Sequence, residues 1–194
     1  MKSPALSFLA GPTALSRIIL KMRFARQLFS LLALPLLFAC SPALDWREYR
    51  MPDAGFSILL PQKPAQAERR LQTPAGEVGM RMYSAQVGEH VFAVGFADFS
   101  RPVDAALLAA MRDVLAANMG GRVANDKAVE SGAFKGREFS AAGMLGRGKD
   151  AKPGVMRARI YANDRRYVQL VSLGPDDGLA AADIDMFLAS LKAD

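Results

Sequence analysis

One cysteine, one histidine and one tryptophan occur in 194 residues. With Cys40 alone, no disulfide can form within the chain and no cysteine-based zinc site can be assembled. With His90 alone, a histidine-rich metal site is excluded as well. Acidic residues are missing from a whole segment. Residues 1–39 contain Lys2, Arg17, Lys21, Arg23 and Arg26 and no Asp or Glu. Five of the 25 basic residues lie there, so the other 20 face all 19 acids and leave a net charge of +1 beyond residue 39. The sequence pI of 9.7 therefore belongs to the leader. A nucleic-acid binder carries its excess charge on the folded domain, and this pattern gives no reason to expect DNA or RNA as a partner.

The leader itself is informative. Lys21 to Gln27 forms a positive n-region, and Leu28 to Ala39 (LFSLLALPLLFA) follows without a charge. Those 12 residues fall short of the roughly 20 that span a bilayer as a helix, and Pro35 interrupts helix continuity. A basic start, a short apolar middle and a small terminal residue make a secretory signal. Leu37-Phe38-Ala39-Cys40 resembles a bacterial lipobox, with Phe38 larger than the residue usual at its place. The resemblance implies cleavage before Cys40, acylation of its thiol and new amine, and a membrane anchor facing the periplasm. Two or three acyl chains at about 0.8 kcal/mol per buried CH₂ hold firmly where one binds reversibly. Ser41 in place of Asp favours the outer membrane. Met22 opens a well-proportioned signal and is the expected translation start, with a long n-region from Met1 as the competing reading.

Residues 40–45 read as a lipidated tether and 46–194 as a single domain. Within it, Phe56 to Pro61 reads as a strand stopped by proline, and Pro61 to Gln72 as a polar loop or edge segment. Val78 to Tyr83 and Val91 to Ala97 form an expected hairpin, with His90 in an exposed turn between them. A helix opens near Ser100–Asp104 and ends at Gly120-Gly121, with an apolar stripe through Leu107, Met111 and Leu115. Strands follow at 123–130 and 135–141, then a glycine- and lysine-rich loop at 143–154, whose cations Arg147, Lys149 and Lys152 suit anionic headgroups. The hairpin 156–162/166–173 comes next, and a last helix at about 180–191. The expected class is α+β: an antiparallel sheet of six to seven strands packed by two main helices.

Phe56-Ser57-Ile58-Leu59-Leu60-Pro61, Gly136-Arg137-Glu138-Phe139, Arg157-Ala158-Arg159-Ile160-Tyr161, Tyr167-Val168-Gln169-Leu170 and Phe187-Leu188-Ala189-Ser190-Leu191 resemble, in order, the PsbP-like family. The resemblance covers about residues 46–192. It implies an α–β–α sandwich and carries over no metal ligand and no cofactor.

No catalytic set is visible. A nucleophile needs a base and an orienting group in contact. His90 is the lone histidine, and no GxSxG elbow is present. Asp176, Asp177, Asp183 and Asp185 lack EF-hand spacing. The glycine-rich segment 143–149 lacks the Gly-Lys-Ser/Thr ending of a P-loop. Arg157, Arg159, Arg165 and Arg166 are the remaining feature: either a solvated sheet face or a cationic surface for an anionic ligand or partner. The expectation is a non-enzymatic envelope lipoprotein that binds a protein partner. The alternative is a small-ligand or lipid-binding module with a pocket between sheet and helix, near the Arg157–Arg166 hairpin.

Overall fold

Alternation of apolar and polar side chains builds most of a large sheet. In the computed structural model, which describes residues 44–146 and 148–193, β3 (Ala65–Thr73), β4 (Gly76–Val87), β5 (His90–Asp98), β6 (Val123–Ser131), β7 (Phe134–Leu145), β8 (Lys152–Asn163) and β9 (Arg166–Gly174) form one seven-stranded antiparallel sheet. Its order is β3-β4-β5-β9-β8-β7-β6. A second sheet joins β1 (Arg47–Met51), β2 (Phe56–Leu60) and the two-residue β10 (Lys192–Ala193), with β2 in the centre. The helices are α1 (Ala105–Ala117) and α2 (Ala181–Leu188). Among the described residues the α+β class, with a large antiparallel sheet and two helices, agrees with the sequence reading, while the strand read at 56–61 lies in the smaller sheet.

Two segments depart from that reading, and a third settles an open choice. Of loop or edge segment, the stretch after Pro61 takes the edge: Ala65–Thr73 is a full edge strand, although nearly all its side chains are exposed. It is ordered by a nine-pair ladder with β4, which asks nothing of side-chain polarity. The glycine-rich segment is strand at both ends: β7 runs to Leu145 and β8 begins at Lys152, with a short 3₁₀ turn at Gly148–Asp150 between them. His90 is the first residue of β5 and is 4 % exposed, not a solvated turn residue. Its ring lies against Gly174 and Gly178, where the missing side chains leave room, and Nε2 is 3.1 Å from the Pro175 carbonyl oxygen. Cys40, the leader, the start of the tether and Arg147 lie outside the described residues.

Elements pack on both faces of the large sheet, and its central strands are apolar on both sides. On one face Phe92, Val94 and Phe96 of β5 meet Phe56 and Ile58 of β2 and Phe187 of α2. Phe92 and Phe187 pack edge to face at 5.2 Å, as do Phe56 and Phe96 at 5.5 Å, and each buried ring stabilises the fold by roughly 1.5–3 kcal/mol. On the opposite face Phe139, Ala158 and Ile160 meet Leu107, Leu108 and Met111 of α1. Asp104 caps that helix, its Oδ1 accepting from Leu107 N at 2.8 Å.

The helix α1 does not cover its face. Seven strands at about 4.8 Å spacing make a sheet roughly 29 Å wide, whereas a helix is about 10 Å across. It packs on β6, β7 and β8. Its C-terminal end is fastened to β7, where Met144 N donates to Met119 O at 3.0 Å. A Cβ on Gly143 would strike the Met119 backbone, so a glycine there permits the approach. The β4, β5 and β9 side of this face is left without a helix over it. Among the described residues no helix is long and apolar enough to cross a membrane.

Candidate binding cleft

Where α1 ends, the uncovered part of the sheet forms a cleft of about 380 Å³. Its floor is the inward face of the sheet, with Ala93 on β5, Gln169 and Val171 on β9, and Met156 on β8. Leu115, Asn118 and Met119 close one side. The end of β7, with Met144 and Leu145, closes another. Four methionines contribute to the wall: Met82, Met119, Met144 and Met156. Met144 is 47 % exposed and stands at the entrance. Among the described residues no ionisable side chain lines the cleft.

Gln169 is the polar group on the floor and is 6 % exposed. Its Oε1 accepts from the Tyr167 hydroxyl at 3.1 Å. Burial pushes the Tyr167 phenol far up, so it stays a neutral donor. The hydroxyl has Gln169 as its hydrogen-bond partner, and a buried O–H must place its proton on an acceptor. That requirement orients the amide with Oε1 toward Tyr167 and Nε2 away from it. Among the described residues Nε2 has no hydrogen-bond partner, while every fully enclosed side-chain nitrogen or oxygen has one. Nε2 is thus open to the cleft. Gly95 is the direct register partner of Gln169. A Cβ there would lie 3.1 Å from Gln169 Nε2 and 3.0 Å from Met80 Sδ, so this glycine makes room for the amide to lie across the neighbouring strand.

The four arginines do not gather in one place. Arg157 and Arg159 point to the face carrying α2. Arg157 pairs with Asp185 of that helix. Arg159 Nε donates to Glu138 Oε2 at 2.6 Å, and its Nη1 donates to the Leu188 carbonyl at 3.1 Å. Arg165 and Arg166 sit at the β8–β9 turn. Arg166 makes a two-pronged pair with Asp98, both bonds 2.7 Å, and also reaches the Asp53 carbonyl. Arg165 is the most exposed and stands 3.7 Å from Asp164. Arg165 and Arg166 line a polar hollow of about 590 Å³ together with Asp98 and Asp164, so its cations already face carboxylates. The His90 ring bonds the Pro175 carbonyl, and among the described residues no hydroxyl or carboxylate is hydrogen-bonded to it. Among the described residues no three His, Cys, Asp or Glu side chains converge as a metal site would require.

Neither Gln169 nor Gly95 stands out from composition. The available signal is one amide inside the apolar run Tyr167-Val168-Gln169-Leu170-Val171, opposite a glycine in the equally apolar Val91 to Ala97.

No family model matches the chain, and no curated protein matches it. Among solved structures it is similar to a protein of Bacteroides thetaiotaomicron VPI-5482, at 12% identity and a TM-score of 0.47. The match covers 76% of this chain and 48% of that one, so the chain spans about half the length of the protein it matches.

Proposed function

We propose that this chain is an exported lipoprotein, held at a bacterial envelope membrane through acylated Cys40, whose domain is a non-enzymatic binding module for a small apolar or amphiphilic ligand. The observation that carries the ligand class is the cleft beside α1, with its methionine-rich wall and, among the described residues, an uncharged lining. Its volume lies at the low end of the roughly 300–1,000 Å³ usual for small-molecule sites, and an apolar wall with one or two placed polar groups is their common build. A cleft between sheet and helix, against β8 and β9, supports the small-ligand reading, although none of the four arginines of that hairpin lines it. The PsbP-like resemblance supports this reading as an expectation of fold and brings no ligand with it. The lipobox supports the anchor.

The test is mass spectrometry of the full chain purified from membranes. A mature protein that starts at Cys40 and carries acyl mass is expected, together with a small hydrophobic molecule released on denaturation. Ala93→Trp, which fills the floor of the cleft, should abolish the released molecule and leave the acylation intact. An unmodified chain with another start overturns the anchor. Release that Ala93→Trp does not change overturns the cleft as the binding site.

A further inference from the structure

We propose that Gln169 orients the ligand of the cleft, and that this ligand is a neutral acyl carbonyl compound, an ester or amide, whose carbonyl oxygen accepts from Gln169 Nε2 while its chain lies among the methionines. The inference rests on the reading of the cleft as a binding site and adds the chemistry of what it takes. Gln169 is 94 % buried, its Oε1 is engaged by Tyr167, and its amide nitrogen opens on the cleft. Because Nε2 opens on the cleft, an acceptor on the ligand can pair with it there, and the net gain is that of one neutral hydrogen bond.

The lining decides between acceptors. A carboxylate or phosphate would be the strongest acceptor, but among the described residues of the wall there is no Lys, Arg or His to compensate the charge. An isolated ion in such surroundings is strongly disfavoured. Among the described residues a hydroxyl-rich ligand would find only Gln169 and Asn118 as polar side chains. A carbonyl needs one donor, and one is present on the floor. The rest of the ligand meets flexible thioethers at Met82, Met119, Met144 and Met156, which adapt to unbranched chains without a fixed shape. At about 30 Å³ for each displaced water, the cleft holds roughly a dozen heavy atoms, the size of a medium-chain acyl ester.

The full chain, carrying ¹³C-methyl methionine and held in phospholipid nanodiscs, is titrated with methyl decanoate, undecane and decanoate. Methyl decanoate should shift the methyl signals of the four lining methionines and leave those of Met51 and Met186 in place. It should bind about two- to tenfold more tightly than undecane, the ratio one neutral hydrogen bond supplies, and more tightly than decanoate. In Gln169→Met the preference over undecane should fall to about unity while undecane still binds. Tyr167→Phe, which frees the amide to turn, should reduce the same ratio and serves if Gln169→Met does not fold. An unchanged ratio in the variants, or tightest binding of decanoate, overturns the role of Gln169 and the ligand class while leaving the cleft as a binding site. If none of the three probes moves the lining methionines, the binding reading fails and this inference fails with it.

Discussion

Arg159 and Glu138 stand directly opposite each other on β8 and β7, with Arg159 Nε donating to Glu138 Oε2 at 2.6 Å. Lys127 on β6 approaches the other carboxylate oxygen at 2.9 Å, and Arg159 continues to the Leu188 carbonyl at the end of α2. A cation is favoured at that end of a helix. One side-chain group therefore links three strands and a helix. The carboxylate is only 13 % exposed. Arg159→Met should lower stability in urea unfolding by about 2–3 kcal/mol, because it leaves Glu138 with one exposed partner in a mostly buried site.

Acid should weaken the fold through this group and its neighbour. A hydrogen bond from Arg137, stronger than the opposing effect of partial burial and reinforced by the charge of Arg112, holds the Asp126 carboxyl below its ordinary value. At Glu138 burial pushes upward, but hydrogen bonds from Lys127 and Arg159 prevail and the net direction is also down. Both groups bind fewer protons in the native state than when unfolded. Their stabilisation is complete above the unfolded carboxylate range of about 4 and is lost as pH falls through the lower folded values. The urea midpoint should therefore drop as pH falls below about 4. In Asp126→Asn/Glu138→Gln it should start lower at neutral pH and fall less steeply.

The segment after β9 is held by shape. Gly178 faces the His90 ring, and a Cβ there would come 2.9 Å from Nδ1 and closer still to Cε1. Gly178→Ala should cost about 1–3 kcal/mol, as overpacking does. His90→Ala removes the obstacle but also the bond to the Pro175 carbonyl. The double variant should be more stable than the sum of the two single losses by about 1 kcal/mol, measured as a double-mutant cycle in urea. Strict additivity would show that the two groups do not meet.

Gly95 links packing to the cleft. In Gly95→Ala the new methyl sits 3.0 Å from Met80 Sδ and 3.1 Å from Gln169 Nε2. Both neighbours end flexible side chains, so the cost in stability should be modest, about 1 kcal/mol. The amide must turn, and the preference for methyl decanoate over undecane should fall by more than undecane binding itself. Thermal unfolding and the same titration separate the two effects.

Most of the sheet was legible because its strands carry period-two patterns or uninterrupted apolar runs, as in Val91 to Ala97. The ends of α1 were legible from Asp104 and the Gly120-Gly121 pair. Ala65–Thr73 was not read as a firm strand, since an edge strand with two exposed faces shows no hydrophobic alternation. Lys192–Ala193 joins β2 over a separation in sequence that no local pattern reports. His90 looked solvated between Glu89 and a turn. Its burial depends on Gly174 and Gly178, which reach it through the fold.

The sequence by itself determined the chemistry available to this protein. It has one thiol, one histidine, a near-neutral balance beyond residue 39, and the local periodicities that make seven strands and two helices. Those properties follow from residue identity and nearest spacing. Only the tertiary structure decided where the arginines point, because ion pairing with Asp185, Glu138 and Asp98 joins residues 21 to 68 positions apart. It alone decided that a single helix leaves part of one sheet face open beside it. The same folding turned Gln169, one amide in an apolar strand, into the donor on the floor of that cleft.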